Sequence, residues 1–129
     1  HPAVVRSTFK LFGDDRIVLI SDSMMAAGMP DGAYTLGEQK VLVKEKNAVL
    51  EDGTIAGSVS NLYDCMLTAV SMGIPKESAI KAATFNPAKS ISIDNECGTL
   101  ESGKLADILV TDMDLGLREV IKYGRPVRH

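Results

Sequence analysis

Asp22 is the residue of this sequence best placed to move a proton. It follows the apolar run Arg16-Ile17-Val18-Leu19-Ile20-Ser21 and precedes Ser23-Met24 and a loop containing Gly28 and Gly32. A carboxylate at the C-terminal end of a buried strand lies where closed parallel barrels and open α/β sheets hold their ligands. There it can work as a general acid or base. Taken alone, an Asp at such a position is more often a helix cap or a solvated turn residue. A second stretch, Asp52-Gly53-Thr54-Ile55-Ala56-Gly57-Ser58, carries two glycines that let a backbone approach a ligand closely.

Other chemistries are harder to build. The histidines are His1 and His129, both terminal, and Cys65 and Cys97 form no metal-like pair. This chain is therefore expected to supply no metal ligands of its own, and the cysteines are expected to be free thiols. The segment Gly98-Thr99-Leu100-Glu101-Ser102-Gly103-Lys104-Leu105 has the glycine and lysine spacing of a phosphate-binding loop. Leu105, however, stands where a Ser or Thr would hold Mg²⁺, and the residues that follow are strand-like where a helix is needed. A turn leading into a strand is the expectation. Met24, Met25 and Met29 read as pliable packing residues, and Tyr63 and Met66 as core.

Composition narrows the classes. Over 129 residues, 45% are hydrophobic and 24% charged, which argues against disorder. The net charge of −3 offers no basic footprint for nucleic acid or anionic lipid. No apolar run reaches the roughly 20 residues of a spanning helix. A soluble, cytoplasmic protein, with neither nucleic acid nor membrane as partner, is expected. The absence of an initiator Met and of a signal segment at His1-Pro2-Ala3-Val4 suggests a piece of a longer protein.

The elements that must position Asp22 follow from periodicity. Pro2 to Leu11 is predicted as a helix ending at Gly13. Arg16 to Ser21 is predicted as a parallel-type strand covered on both faces. Residues 23 to 32 read as a loop with a Pro30-Asp31-Gly32 turn. Tyr34-Thr35-Leu36, Val41-Leu42-Val43 and Ala48-Val49-Leu50 form a small meander, separated by Gly37-Glu38 and Lys46-Asn47 and closed by a turn over 52–58. Val59, Leu62, Tyr63, Met66, Ala69 and Val70 mark an amphipathic helix with Ser58 as N-cap and Gly73 as stop. A second helix runs from Pro75 to about Thr84, a short one follows Asn86-Pro87, and β structure returns over Leu105–Thr111, Glu119–Lys122 and Pro126-Val127.

These residues carry a resemblance. Leu19-Ile20-Ser21-Asp22-Ser23-Met24, Gly28-Met29-Pro30-Asp31-Gly32, Asp52-Gly53-Thr54-Ile55-Ala56-Gly57-Ser58, Ala83-Thr84-Phe85-Asn86-Pro87-Ala88 and the stretch from Gly98 to Asp107 together resemble the C-terminal third of the N-acetylglucosamine-6-phosphate deacetylase family, within the amidohydrolase superfamily. The resemblance runs along the whole chain. Its last two motifs are shared by many amidohydrolases, whereas the first and third point to the sugar-phosphate deacetylases.

The resemblance implies an α/β fold: the C-terminal part of a metal-dependent hydrolase (β/α)8 barrel, plus strands of the accompanying small β domain. Residues 1–95 would hold the last barrel strand and helices, with a β-meander insertion at about 33–52, and residues 96–129 the small β domain. Asp22 would be the catalytic acid/base, and Ile55, Ala56 and Gly57 would touch substrate through backbone groups. Amide hydrolysis needs a nucleophilic water, which a divalent metal, zinc or iron, supplies in the full-length enzyme; none is expected in this fragment. The implied metal ligands, a Glu and two His, lie upstream, as does the substrate-contacting histidine, so His1 takes no such role. The implied activity is deacetylation of N-acetylglucosamine 6-phosphate, or of a related amino-sugar phosphate, by a full-length homo-oligomer, with the fragment inactive alone. An autonomous non-catalytic α/β module is the alternative.

Overall fold

The computed structural model describes residues 1–37, 39–44, 47–50 and 52–127. Glu38 and Lys46, predicted as strand separators, and the terminal His129 lie outside the described residues. The element order is α1 (Pro2–Phe12), a 3-10 turn (Asp14–Arg16), β1 (Gly32–Leu36), β2 (Gln39–Lys44), β3 (Asn47–Leu50), β4 (Ile55–Ser58), α2 (Leu62–Ser71), α3 (Lys76–Ala83), α4 (Phe85–Ser90), β5 (Ile108–Thr111), β6 (Leu117–Lys122) and β7 (Arg125–Pro126).

Helix α1 forms where Pro2 and Gly13 predict it. Pro2 presets the first turn, and Gly13 leaves the helix at φ +73°, a region that favours glycine. The His1 ring caps the helix by accepting from the Ala3 N–H at 3.3 Å. Phe9, Met66, Ala69, Ile74, Ala79, Ala82 and Leu115 make one buried cluster of α1, α2, α3 and the loop before β6. Tyr63 and Met66 belong to it or pack against it, the core role read from their spacing. Within this cluster the Tyr63 hydroxyl donates to the Leu115 carbonyl at 2.5 Å, tying the C-terminal segment to the helices.

Two predictions about local structure are corrected. Arg16 lies in the 3-10 turn, and Ile17 begins an extended segment at φ −97°, ψ 129° that pairs with no strand among the described residues. Only one of its faces is covered. Ile17 and Leu19 pack on the helical cluster, while Val18 and Ile20 are exposed, Ile20 by 71%. Neither a parallel neighbour to pair its edges nor a layer over its second face is found among the described residues. The N-cap of α2 is Asn61, not Ser58: the Asn61 side chain accepts from the Asp64 N–H at 2.8 Å. Ser58 is already committed to β4, so its backbone cannot also open a helix.

The meander is larger by one strand than its β-branched residues suggest. Its strands run antiparallel in the order β1-β2-β3-β4. Ile55 to Ser58, expected as part of a turn, is the fourth strand, joined to β3 through a register shift at Ala48/Val49. Val41, Val43 and Ala48 face inward onto Met24 and Ala26, with Tyr34, Leu50, Ala56 and Val59 around them. Met24 is thus packing, as its type suggests, whereas Met25 and Met29 are exposed. The second sheet, β5-β6-β7, is antiparallel. Lys104 leads into it from a turn in which its ammonium donates to Thr99 and pairs with Glu101, so the segment is no phosphate loop.

Gly98 marks where this turn meets the helices. Its φ is +93°, and a Cβ there would lie 2.9 Å from Ala88 Cβ, 3.2 Å from Phe85 Cα and 3.3 Å from the Thr84 carbonyl oxygen. Two of those atoms are backbone and cannot swing aside. Gly98→Ala is expected to destabilise the protein by about 1–3 kcal/mol, read as a fall in the urea midpoint. An unchanged midpoint would mean that the turn relaxes freely.

Candidate active site

Asp22 lies at the seam between the helical cluster and the meander. Upstream, the Leu19 N–H donates to the Ala82 carbonyl at the end of α3, 2.8 Å away. Downstream, Met24 and Ala26 are buried under the meander. Between these anchors the chain turns sharply, and Asp22 takes φ +50°, a left-handed conformation that Asp tolerates better than most residues.

The turn is gripped by the end of β4. The Ser58 N–H donates to the Asp22 carbonyl at 3.2 Å, and the Met24 N–H donates to the Ser58 carbonyl at 2.8 Å. Together they make a short parallel bridge between Ser23 and Ser58. The Ser23 hydroxyl adds a bond of 2.5 Å to the Ser60 carbonyl. That carbonyl is itself held in a turn, because the Ser58 hydroxyl accepts from the Ser60 N–H at 3.0 Å. Sequence reasoning did not find Ser23, Ser58 or Ser60 as a set: isolated serines signal nothing until the fold brings positions 37 residues apart together.

The same contacts bring the two predicted site stretches together. Ile55, Ala56 and Gly57 are the strand residues leading to Ser58, and Ser58 is bonded to the backbone on both sides of Ser23. Ile55 pairs with Val49 and leaves its side chain 81% exposed. Ala56 packs against the meander core. A Cβ on Gly57 would lie 3.6 Å from Met24 Cβ, so the strand passes close to the segment after Asp22. At the start of this region the Asp52 carboxylate accepts from the Thr54 N–H at 2.9 Å, which with the Thr54 hydroxyl holds it below the usual carboxylate range.

Asp52 and Asp107 are tied to structural partners, Asp107 to the Tyr123 N–H and the Lys122 ammonium. The Asp22 side chain is exposed and takes no hydrogen bond or ion pair among the described residues. It caps no helix. A carboxylate free of structural duty, on a backbone fixed from both sides, can accept a proton from water or pass one on.

The chain's own residues do not fit a catalytic metal. Among the described residues, no group of three His, Cys, Asp or Glu side chains stands close enough to hold one. The side chains that hold the Asp22 turn offer only serine hydroxyls, whereas a zinc site needs three protein ligands of nitrogen, sulfur or carboxylate type. Cys65 and Cys97 are free. A groove of about 590 Å³ between the helices and the second sheet, lined by Tyr63, Met66, Ile80, Leu105 and Leu115 among others, does not include Asp22. No helix of the described residues is long and apolar enough to cross a membrane.

Comparison with known proteins adds relatives to this geometry. Residues 14–127 match the Amidohydrolase family. The chain is 35% identical over 128 residues to N-acetylglucosamine-6-phosphate deacetylase of Vibrio furnissii, covering 98% of this chain and 32% of that protein. It is 34% identical over 126 residues to N-acetylgalactosamine-6-phosphate deacetylase of Escherichia coli, covering 97% of this chain and 33% of that protein. In three dimensions it is similar to N-acetyl-D-glucosamine-6-phosphate deacetylase of Mycobacterium smegmatis, solved in complex with N-acetyl-D-glucosamine-6-phosphate. The TM-score is 0.86 at 32% identity, over 97% of this chain and 34% of that one. The chain thus spans about a third of the length of these relatives. With the family matched over nearly all of its length, the chain belongs to the amidohydrolase family.

Proposed function

We propose that this chain is the C-terminal part of a deacetylase that releases acetate from N-acetylglucosamine 6-phosphate. In this reading Ile17 to Ser21 is the last strand of a (β/α)8 barrel, and the exposed faces of Val18 and Ile20 meet barrel elements outside the chain. Residues 1–95 complete the barrel with the meander inserted, and residues 96–129 contribute strands to the small β domain. The observation that carries the reading is the backbone bridge joining Asp22 to the end of Ile55–Ser58. It supports one site in which a proton-transferring carboxylate and a substrate-contacting strand form a unit.

In the reaction Asp22 accepts the proton of the attacking water and delivers it to the amine nitrogen as the C–N bond breaks; without that proton the amine leaves poorly. Ile55, Ala56 and Gly57 offer the substrate their main-chain groups. The divalent metal of this reading would be held by residues outside this chain. The whole enzyme is a homo-oligomer of the cytoplasm, where phosphorylated sugars are retained. The relative named for N-acetylgalactosamine 6-phosphate makes the galacto epimer the second substrate to test.

The test is to express the full-length protein and follow acetate release from both sugar phosphates. Turnover of the gluco substrate in excess of the galacto one is expected; release from neither would overturn the reading, and an unrelated domain upstream would favour the autonomous module. Purified alone, the 129-residue chain should turn over neither substrate and hold no stoichiometric metal. One zinc or iron per chain by elemental analysis would contradict this.

A further inference from the structure

We propose that Ser23 is a positioning residue for Asp22, acting through a serine clasp that no part of the barrel outside this chain needs to complete. The inference rests on the reading of Asp22 as the proton carrier. Three observations support it. Asp22 holds φ +50°, a sparsely populated conformation for a non-glycine residue, which the bonds on either side of the turn help to keep. Its carboxylate has no hydrogen-bond partner among the described residues, so the side chain is aimed by the backbone alone. That backbone is gripped by Ser58 on either side of Ser23, and Ser23 spends its hydroxyl on the Ser60 carbonyl, not on Asp22.

The clasp has a rigid mount. The Ser60 carbonyl is fixed by the bond from its own N–H to the Ser58 hydroxyl, and the next residue, Asn61, caps α2 through the Asp64 N–H. Helix α2 in turn contributes Met66 and Ala69 to the buried helical cluster. A path of direct bonds therefore runs from the helix N-terminus through Asn61, Ser60 and Ser23 to the turn that carries Asp22. Removing the Ser23 hydroxyl leaves the Met24 and Ser58 backbone bonds in place, so the chain still folds. What is lost is the bond that fixes the direction of the turn, and with it the direction of the carboxylate.

Displacement of a catalytic group by about 1 Å can cost on the order of 100-fold in rate. In the full-length enzyme acting on N-acetylglucosamine 6-phosphate, Ser23→Ala should lower kcat about 10- to 100-fold, leave KM within about twofold, and leave bound metal unchanged. Ser23→Thr, which keeps the hydroxyl, should restore most of the rate. Ser58→Ala, which frees the Ser60 turn, should lower kcat in the same way, and the double variant should be no slower than the slower single one, because both act through one clasp.

A Ser23→Ala enzyme with kcat within twofold of wild type overturns the proposal. So does an equal change in kcat and KM, or a failure of Thr to rescue, since either marks a general loss of structure. Asp22→Asn separates this from the underlying reading. If Asp22→Asn is inactive and Ser23→Ala is not impaired, the clasp alone is refuted; if Asp22→Asn is active, the role of Asp22 falls and the clasp with it.

Discussion

On the proposed function, Asp22→Asn in the full-length protein is expected to lower turnover of N-acetylglucosamine 6-phosphate by two to four orders of magnitude while metal content stays at the wild-type level. Positioned general acid–base catalysis contributes about 10²- to 10⁴-fold, equivalent to about 3–5 kcal/mol of barrier. Asparagine keeps the shape of the side chain and tolerates the left-handed backbone at φ +50°, so the turn and its bonds to Ser58 should survive. Only the ability to take and return a proton is removed. The check is steady-state turnover with elemental analysis on the same preparation. Activity close to wild type would remove Asp22 from the mechanism, and loss of metal along with activity would make it a ligand.

The second large effect is structural. Asn86 is buried at the start of α4, and its amide nitrogen donates to the carbonyls of Asp14 and Ile17, each at 2.6 Å. These bonds hold the 3-10 turn and the start of the extended segment leading to Asp22. Asn86→Asp keeps the volume but turns a double donor into an acceptor that faces two carbonyl oxygens. With a charge left buried and uncompensated, a loss of about 3–5 kcal/mol is expected. The burial and the facing oxygens favour the protonated carboxyl, whose O–H can still donate to one carbonyl. The folded-state pKa of the new Asp would lie above its unfolded value, so the folded state binds more protons and the penalty grows as pH rises through the carboxylate range. Urea unfolding at pH 4.5 and pH 8 checks the sign: a variant less stable at the lower pH, relative to wild type, would refute the assignment of Asn86 as donor.

Much of the framework was legible because it rests on local signals. Pro2 and Gly13 bracket α1, the spacing of Leu62, Tyr63, Met66 and Ala69 marks α2, and Pro75 immediately precedes α3 as its N-cap, because caps and helical periods depend on neighbours within a few positions. The β-branched pieces of β1, β2 and β3 were equally plain. What escaped were features decided by distant partners. Ile55-Ala56-Gly57-Ser58 has little strand propensity, and it becomes a strand only by pairing with β3 across a register shift. Ser58 resembles an N-cap until its backbone is seen bonded to Asp22 and Met24, which leaves Asn61 to do the capping. Ile17 to Ile20 reads as a strand covered on both faces because its composition answers to its whole environment, and the described residues cover only the face of Ile17 and Leu19. Asp22 was singled out by residue type and place; the freedom of its side chain from structural bonds among the described residues is visible only in three dimensions.

The bonds that shape the turn at Asp22 also set an order in time. Ser23 is held by a residue 37 positions later, and Ile17 by one 69 positions later. A ribosome working at about 5–20 residues per second therefore releases Asp22 several seconds before the groups that hold its neighbours. During that interval the segment around Asp22 has only its own weak preferences, and Ile17 and Leu19 lack the helical cluster on which they later pack. Newly made chains should be most exposed to capture by chaperones at this stage, and the Asp22 turn would be among the last parts of its neighbourhood to reach its final form.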